Sequence, residues 1–539
     1  MKNFYIDNRT ITYIFTFFFL IFNFYIINQY SLILENKDFY RSFLGDGVYH
    51  IRLIAQIDNN FTFNKIHEAD LYHNNYYLFS LLILKILKFF PGFSYSSIGL
   101  AAVIINLIST YLIFIFSYLI CFNLSKSKLL SLSLVLLLWN GDLIEYALLI
   151  YPDILQLAFI FISVYCLTSQ YKYKFFLSVI FSGLAFGVKA QGLLIFLFLI
   201  SYIFFLKLHE NDFRLNKKII LKIFFYCLTF LSSFFILNQI SLSGIVERIF
   251  RLSKNIYNGN QFTLSELGIS NFDIVNNYLL VVLKGEAGVF LLILLIVIGI
   301  MLSIRNKHKE KYLFYFSIIF IFFFYIQLIS YNKLVQGTRY LYHLFPLILV
   351  AISLSYFYIS KFLSKRNMKL VSLVSVFFLL FIGLTNFLEE YKTNISKFDF
   401  KTIVKNDDMT KAYYFIKKKI SFEIENPLIC AGHYSLIPLD MSNNIRKSYR
   451  HLDFEDLIRS KSCDLIVLDH STPGRYIWFK NSIEDIIKPK FENFSPWKKR
   501  YGKENIEKLQ GLIEFILTDP VSGYKVEYYN SKMIVLKKI

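Results

Sequence analysis

Eleven long apolar runs fill most of the first 390 residues, and no other feature constrains the fold so strongly. Each approaches the ~20 residues that an α-helix needs to cross the hydrocarbon core of a bilayer, although some fall short. A single run could be a signal peptide, whereas eleven predict an α-helical polytopic membrane protein of about 11 spans, within a range of 10–13. The composition agrees, because 55% of the residues are hydrophobic and 18% charged, against roughly 45–50% and 25% in soluble domains. The runs lie near 11–34, 97–121, 128–139, 154–169, 175–187, 190–206, 219–240, 287–304, 312–331, 340–359 and 370–387.

The loops between the runs predict the orientation. Lys and Arg concentrate in short connections that should be cytoplasmic by the positive-inside rule. The intervening loops, including the first outside loop (35–75) and a second large one (241–286), then lie outside. The net charge of +20 is spread over these connections and the tail, with no basic arm or stripe, which favours membrane lipid over nucleic acid as a partner. The basic connections are 125–128, 171–174, 207–222, 305–311 and 361–369.

The crossing between residues 76 and 121 decides this topology. Two apolar stretches, 76–90 and 97–121, compete for one net crossing, and Pro91-Gly92 separates them. We expect residues 76–90 to lie along the interface or to form a bent entry. If they formed a full span instead, every later loop would be inverted.

The last 149 residues, 391–539, change character and predict a small extracytoplasmic α/β domain. Amphipathic periodicity indicates helices at 409–420 and 504–517, and short apolar or alternating segments indicate strands. Outside the cytoplasm Cys430 and Cys463 could form a disulfide, with free thiols as the alternative. The predicted strands are 427–431, 464–468, 524–529 and 533–536, the last two forming a hairpin around Asn530-Ser531.

The first candidate for chemistry is Asp46, which lies between two glycines directly after the first apolar run. A helix that begins there places Tyr49 and His50 on the same face as Asp46. The carboxylate would then face a cavity at the membrane surface as a catalytic group. The alternative is an ordinary N-terminal cap, since Asp commonly accepts hydrogen bonds from free backbone N–H groups there.

Other acids and histidines cluster in the outside loops. His67 and Glu68 could contact a substrate or hold Zn²⁺ or Mn²⁺, although solvated loops often have this composition. Glu145 and Asp153 follow an apolar run, where acids must sit in water or line a cavity. Asp153 is equally consistent with a cap of the next span.

Two cations complete the candidate site. Lys189 interrupts a long apolar stretch, and it is either a phosphate ligand or a helix-end lysine reaching to the interface. Arg339 directly precedes a span, and its guanidinium group suits a phosphate. An outside face with a carboxylate and two cations suits a lipid-linked phosphate whose tail lies between helices.

In four ordered elements the sequence resembles the GT-C superfamily of polyprenyl-phosphate-sugar-dependent glycosyltransferases, particularly the protein O-mannosyltransferase and aminoarabinose-transferase branch. The elements are the acidic first loop at 45–50, Tyr151-Pro152-Asp153, the segment 183–192 and the segment 339–346. Together they cover about residues 10–390, and the tail corresponds loosely to the soluble domains of many members. Members commonly have an Asp-Glu pair in the first loop, whereas Gly47 follows Asp46 here.

The resemblance implies a GT-C-like catalytic module in residues 1–390 that transfers a sugar, with inversion, from a polyprenyl-phosphate carrier to an extracytoplasmic acceptor hydroxyl. Asp46 would be the base, and Lys189 and Arg339 the donor-phosphate ligands. No cofactor is indicated beyond the divalent metal considered above. Localisation would be the bacterial cytoplasmic membrane with the site on its outer face. The alternative is a transporter or flippase of a lipid-linked sugar or anionic solute.

Overall fold

A computed structural model describes most of the helical part of the chain and the strands of the tail. The continuous segments that it describes are 74–89, 97–138, 150–189, 191–210, 216–235, 286–304, 310–330, 341–365, 428–431, 445–447, 462–469, 523–529 and 533–539, and the isolated positions are 50, 53–54, 57–58, 143, 146–147, 214, 272, 275–276, 279–280, 374, 376–377, 379–385, 388–389 and 415–416.

The described part of the chain is mostly helical, with a small sheet at its C-terminal end. Among the described residues, five helices are long and apolar enough to cross a membrane, as judged by length and composition: 98–125, 192–209, 217–235, 310–329 and 342–363. The helices are α1 (Asn75–Leu87), α2 (Ser97–Ser125), α3 (Lys128–Leu138), α4 (Asp153–Thr168), α5 (Lys174–Phe186), α6 (Gly192–His209), α7 (Lys217–Phe235), α8 (Glu286–Ile304), α9 (Glu310–Ile329) and α10 (Phe345–Lys365), the last preceded by a 3₁₀ turn at Tyr342–Leu344.

Contacts between side chains fix the directions of the helices. Helices α2 and α4 run parallel, because the Asn106 amide donates to the carbonyl of Tyr151 while the Phe116 and Tyr165 rings lie 5.0 Å apart further along both helices. Helices α6 and α9 run antiparallel, since Phe198 lies against Phe320 and the later Phe205 against the earlier Tyr312. We call the end of the bundle at which α4 begins the acid end, and the opposite end the basic end.

The helix ends that flank the five basic connections predicted from the sequence all lie at the basic end. Helices α2 and α4 end there, and α3 and α5 begin there. The Tyr312 hydroxyl bonds to the ring of His209, which brings the start of α9 to the end of α6. Ser303 bonds to Tyr315, and Phe314 packs on Tyr358, so that α8 and α10 also end at this side. Helix α7 begins at this end, directly after α6.

Helices α1 and α2 both begin at the acid end. The backbone N–H of Asn75 donates to the carbonyl of Gly187, just after α5 ends at the acid end. Asn106, in the first third of α2, also lies at that end through its bond to Tyr151. Helix α1 has 13 residues and is about 20 Å long. How residues 76–121 cross the membrane stays a prediction.

Helix α4 lies at the centre of the bundle, and 14 of its 16 residues are buried. The outer helices α7, α8 and α9 instead expose large apolar side chains such as Phe224, Phe290 and Phe322. Such a surface is expected where lipid replaces water as the solvent, because hydrocarbon imposes no penalty on an exposed apolar side chain.

The tail forms a five-stranded mixed sheet in the order β2-β1-β3-β5-β4. The predicted strands are present, and the hairpin joins β4 to β5 with antiparallel pairing. β2 was not predicted. A disulfide joins Cys430 and Cys463, whose Cα atoms are 5.8 Å apart. The predicted helices 409–420 and 504–517 lie largely or wholly outside the described residues. The strands are β1 (Ile429–Ala431), β2 (Ile445–Lys447), β3 (Leu465–Asp469), β4 (Tyr524–Tyr529) and β5 (Met533–Lys538).

Candidate functional site

An ion pair lies within the acid end of the bundle. The ammonium Nζ of Lys189 is 2.5 Å from Oδ1 of Asp153, and both residues are almost completely buried, at 2% and 3% exposure. Asp153 is the first residue of α4 rather than its N-cap, which is Pro152. Lys189 does not reach solvent, so it is not a helix-end lysine that extends to the interface. A buried ammonium requires a compensating charge, which Asp153 supplies.

Glycine permits the tight turn that carries Lys189. Helix α5 ends at Phe186 and α6 begins at Gly192, so the chain reverses within five residues. A Cβ atom on Gly192 would lie 2.3 Å from the backbone nitrogen of Phe186, a contact that no side chain can make. The N–H of Gly192 donates to the carbonyl of Lys189 and closes the turn. The glycine of this motif therefore sets the position of the cation.

Gln156 ties this turn to the start of α10. Its amide nitrogen donates to the carbonyl of Lys189 at 2.6 Å and to that of Ala185 at 3.3 Å. Because carbonyls only accept, Oε1 of the same amide faces His343, whose Nε2 lies 2.8 Å away. His343 must therefore donate from Nε2, which fixes its tautomer when the ring is neutral. One side chain thus orders both the cationic turn and the histidine.

The first outside loop reaches the same end through α1. The side-chain amide of Asn75 donates to the carbonyl of Leu184, in addition to the backbone bond to Gly187. Nδ1 of His50 lies 3.0 Å from the hydroxyl of Tyr77, and its ring meets that of Tyr76 edge-on. Both tyrosines are fully buried. His50 is thereby linked, through α1, to the turn that carries Lys189.

Helix α2 extends beyond the level of the ion pair at the acid end. It has nine residues before Asn106, which bonds to Tyr151, and these residues extend it by about 13 Å beyond that level. Helices α4 and α5, with 16 and 13 residues, are about 24 and 20 Å long, shorter than a hydrocarbon core of about 30 Å.

A second charged group lies along α1. The carboxylate of Asp58 is 2.8 Å from the ammonium of Lys85 and also contacts that of Lys88. Burial alone would raise the pKa of the Asp58 carboxyl, but hydrogen bonds from both lysines and their positive charges outweigh it, so this pKa lies below its ordinary value. This group holds the 53–58 segment against α1.

The structure thus pairs Asp153 with Lys189 and places His50 at the same end of the bundle, which accounts for three of the nine residues predicted from the sequence. No group of three or more His, Cys, Asp or Glu that could hold a metal occurs among the residues that the structure describes. The proposed metal site at His67 and Glu68 stays a prediction, because those residues are not described. The predicted residues outside the described ranges are Asp46, Tyr49, His67, Glu68, Glu145 and Arg339.

Sequence reasoning assigned no role to Gln156 or His343. A signal was present for both. Gln156 is a polar residue inside an apolar run, three positions after Asp153, and His343 follows Arg339 by four positions. In a membrane helix a polar side chain faces the bundle interior and finds a partner there.

No family model matches the chain, and no curated protein matches it. The assignment of a function therefore rests on the sequence motifs and on the geometry of the acid end.

Proposed function

We propose that the protein is a membrane glycosyltransferase with a GT-C-like module of about 11 spans, which moves a sugar from a polyprenyl-phosphate carrier to an acceptor hydroxyl. The observation that carries this proposal is that candidate site residues far apart in the sequence lie at the same end of the bundle. His50, Asp153, Lys189 and His343, from four separate sequence elements, lie at the end of the bundle opposite the basic connections. By the positive-inside rule the acid end faces away from the cytoplasm, and the disulfide in the tail suits the same side.

Lys189 is the residue proposed to bind the donor phosphate. An ammonium carries three N–H donors, so it can hold a carboxylate and a phosphate oxygen together. Asp153 positions the amine and balances its charge while the site is empty of donor. Arg339 precedes His343 by four residues and is proposed as the second phosphate ligand.

In the proposed reaction the acceptor oxygen attacks the anomeric carbon of the donor sugar from the face opposite the phosphate. A new glycosidic C–O bond forms as the bond from the anomeric carbon to the phosphate oxygen breaks. Asp46 takes the proton of the acceptor hydroxyl, and the electron pair of the broken bond leaves with the polyprenyl phosphate. Lys189 and Arg339 stabilise the charge that develops on this leaving group.

The Asp46→Asn variant tests the proposal in a transfer assay with the full-length protein in lipid. General-base catalysis contributes about 10²–10⁴-fold in rate, so transfer should fall by at least that lower factor. Binding of the donor lipid and the thermal unfolding temperature should stay at the wild-type values. Wild-type transfer by this variant would remove Asp46 from the mechanism.

A transporter or flippase of a lipid-linked sugar is the second candidate, because buried ion pairs also mark the pathways of transporters. The Asp153–Lys189 pair lies where α4 begins and α5 ends rather than within a helix. Movement of a labelled polyprenyl-phosphate sugar across proteoliposomes separates the two candidates. Movement without any transferred product would favour the transporter.

A further inference from the structure

Two glutamine side chains at the acid end, Gln191 and Gln327, lie outside the network described above. Each has a buried amide oxygen that accepts no hydrogen bond in the described structure. Gln191 precedes α6 by one residue and follows Lys189 by two, while Gln327 is in the last turn of α9. Buried polar atoms in proteins are rarely left without a partner, and those that are commonly mark a place where a ligand or water binds.

The spacing of the two glutamines from the contact between α6 and α9 places both on the faces at which these helices meet. These antiparallel helices touch through Phe198 and Phe320, whose ring centroids are 5.2 Å apart. Gln191 lies seven residues before Phe198 and Gln327 seven residues after Phe320. Seven residues are about two helical turns, so each glutamine lies on the same face of its helix as the contacting phenylalanine. Although Gln191 precedes the first residue of α6, its backbone angles are helical, so the same spacing applies to it.

The chemistry of these atoms selects one part of a lipid-linked sugar. An amide oxygen accepts hydrogen bonds, and therefore needs a donor. The hydrocarbon tail carries no donor, and an ionised phosphate offers acceptor oxygens alone. Only the sugar carries hydroxyl donors. Lys189, two residues from Gln191, is the proposed phosphate ligand, so a sugar attached to that phosphate would lie close to both amides.

We propose that Gln191 and Gln327 form a subsite between α6 and α9 that accepts hydrogen bonds from hydroxyl groups of the donor sugar. This inference rests on the proposed function, which supplies the sugar-phosphate lipid. It adds two residues that select for the presence of the sugar rather than for the phosphate or the tail.

The test compares the binding of a short-chain polyprenyl phosphate with that of its mannosyl and glucosyl esters, in full-length protein reconstituted in nanodiscs. In the wild type at least one ester should bind about tenfold more tightly than the sugar-free lipid, as expected for two or more hydrogen bonds at about 2- to 10-fold each. Gln191→Met and Gln327→Met should each reduce that ratio by about 2- to 10-fold. Their affinity for the sugar-free lipid should stay within about twofold of the wild-type value, well inside the effect of one hydrogen bond.

Lys207→Met, at the basic end of α6, is the matched control and should leave every affinity unchanged. The two glutamine variants should also unfold at or above the wild-type temperature, because each removes a buried acceptor without a partner. Variants that keep the full preference for the ester, or that weaken both ligands equally, would overturn the subsite alone. Equal binding of all three ligands by the wild type would do the same. A wild type that binds none of them would overturn the proposed function and the subsite together.

Discussion

The carboxylate of Asp153 lies 2.5 Å from the ammonium of Lys189, across 36 residues of chain and in the buried acid end of the bundle. Removing one member takes a charged partner away from the other, and both side chains are almost completely buried. We expect Asp153→Ala or Lys189→Met to lower the free energy of unfolding by about 3–5 kcal/mol. The double variant removes both charges, so its free energy of unfolding should be much closer to that of the wild type than either single variant's. Unfolding of the four proteins in one detergent measures the coupling, and additive losses would show that the pair is not coupled.

Gly192→Ala tests whether close backbone contact positions the Lys189 turn. The added methyl group would meet the backbone of Ala185 and Phe186 at 2.3–2.6 Å, and backbone cannot move aside as a flexible side chain can. We expect a loss of about 1–3 kcal/mol in unfolding free energy, as is typical of overpacking. The Gln156→Leu variant should perturb the same turn by removing its two hydrogen bonds to carbonyls. An unchanged unfolding temperature for Gly192→Ala would contradict the close contact.

The disulfide between Cys430 and Cys463 closes a loop with a sequence separation of 33. By chain entropy such a crosslink stabilises the folded sheet by about 3–4 kcal/mol. Mass spectrometry of the non-reduced protein should find these two cysteines bonded, while Cys121, Cys166 and Cys227 remain thiols. In a Lys525→Cys variant, whose new thiol replaces an exposed side chain of the same sheet, a membrane-impermeant maleimide should label the tail of intact cells from outside. Labelling only after the cells are lysed would place the tail in the cytoplasm and invert the topology.

Asp58 predicts a dependence of stability on pH. Its pKa in the folded protein is below the ordinary value, because hydrogen bonds and charge from Lys85 and Lys88 outweigh the opposing effect of burial. The stabilisation is fully present above the unfolded-state pKa of about 3.9, and it is lost as the pH falls through the lower folded-state pKa. The Asp58→Asn variant should therefore have a lower free energy of unfolding than the wild type at pH 7. The difference should be about 1 kcal/mol or less, because both lysines are partly exposed. The difference in thermal unfolding should shrink progressively as the pH is lowered below about 3.9, and a difference that does not change with pH there would exclude this ion group as its cause.

Much of the architecture follows from local patterns. The apolar runs predict the helices from α2 to α10, since hydrophobic length is the main signal for a membrane segment. Alternation and turn residues predict β1, β3 and the β4–β5 hairpin. β2, with only three residues at Ile445–Lys447, carries no such signal because parallel pairing with β1 defines it. The short helix α1 could not be distinguished from a span, and contacts of Asn75 with residues 109 or more positions away decide its place.

The candidate site is less accessible to sequence reasoning. Charge in an apolar context singles out Asp153 and Lys189, yet nothing in their spacing of 36 residues predicts that they pair. The pairing of Gln156 with His343 spans 187 residues and depends on how α10 begins beside α4. Such contacts arise from helix packing, which single-sequence periodicity does not specify.

The binding of a polyprenyl-phosphate sugar to the Asp153→Asn/Lys189→Gln double variant tests the central claim most directly. This variant removes both charges together, so it should fold. A charge-assisted hydrogen bond contributes about 1.5–3 kcal/mol, so donor affinity should fall by at least about tenfold. Lys361→Gln, at the basic end, should bind the donor as the wild type does. A folded double variant with wild-type donor affinity, or a loss of affinity in Lys361→Gln alone, would contradict a donor site at the acid end.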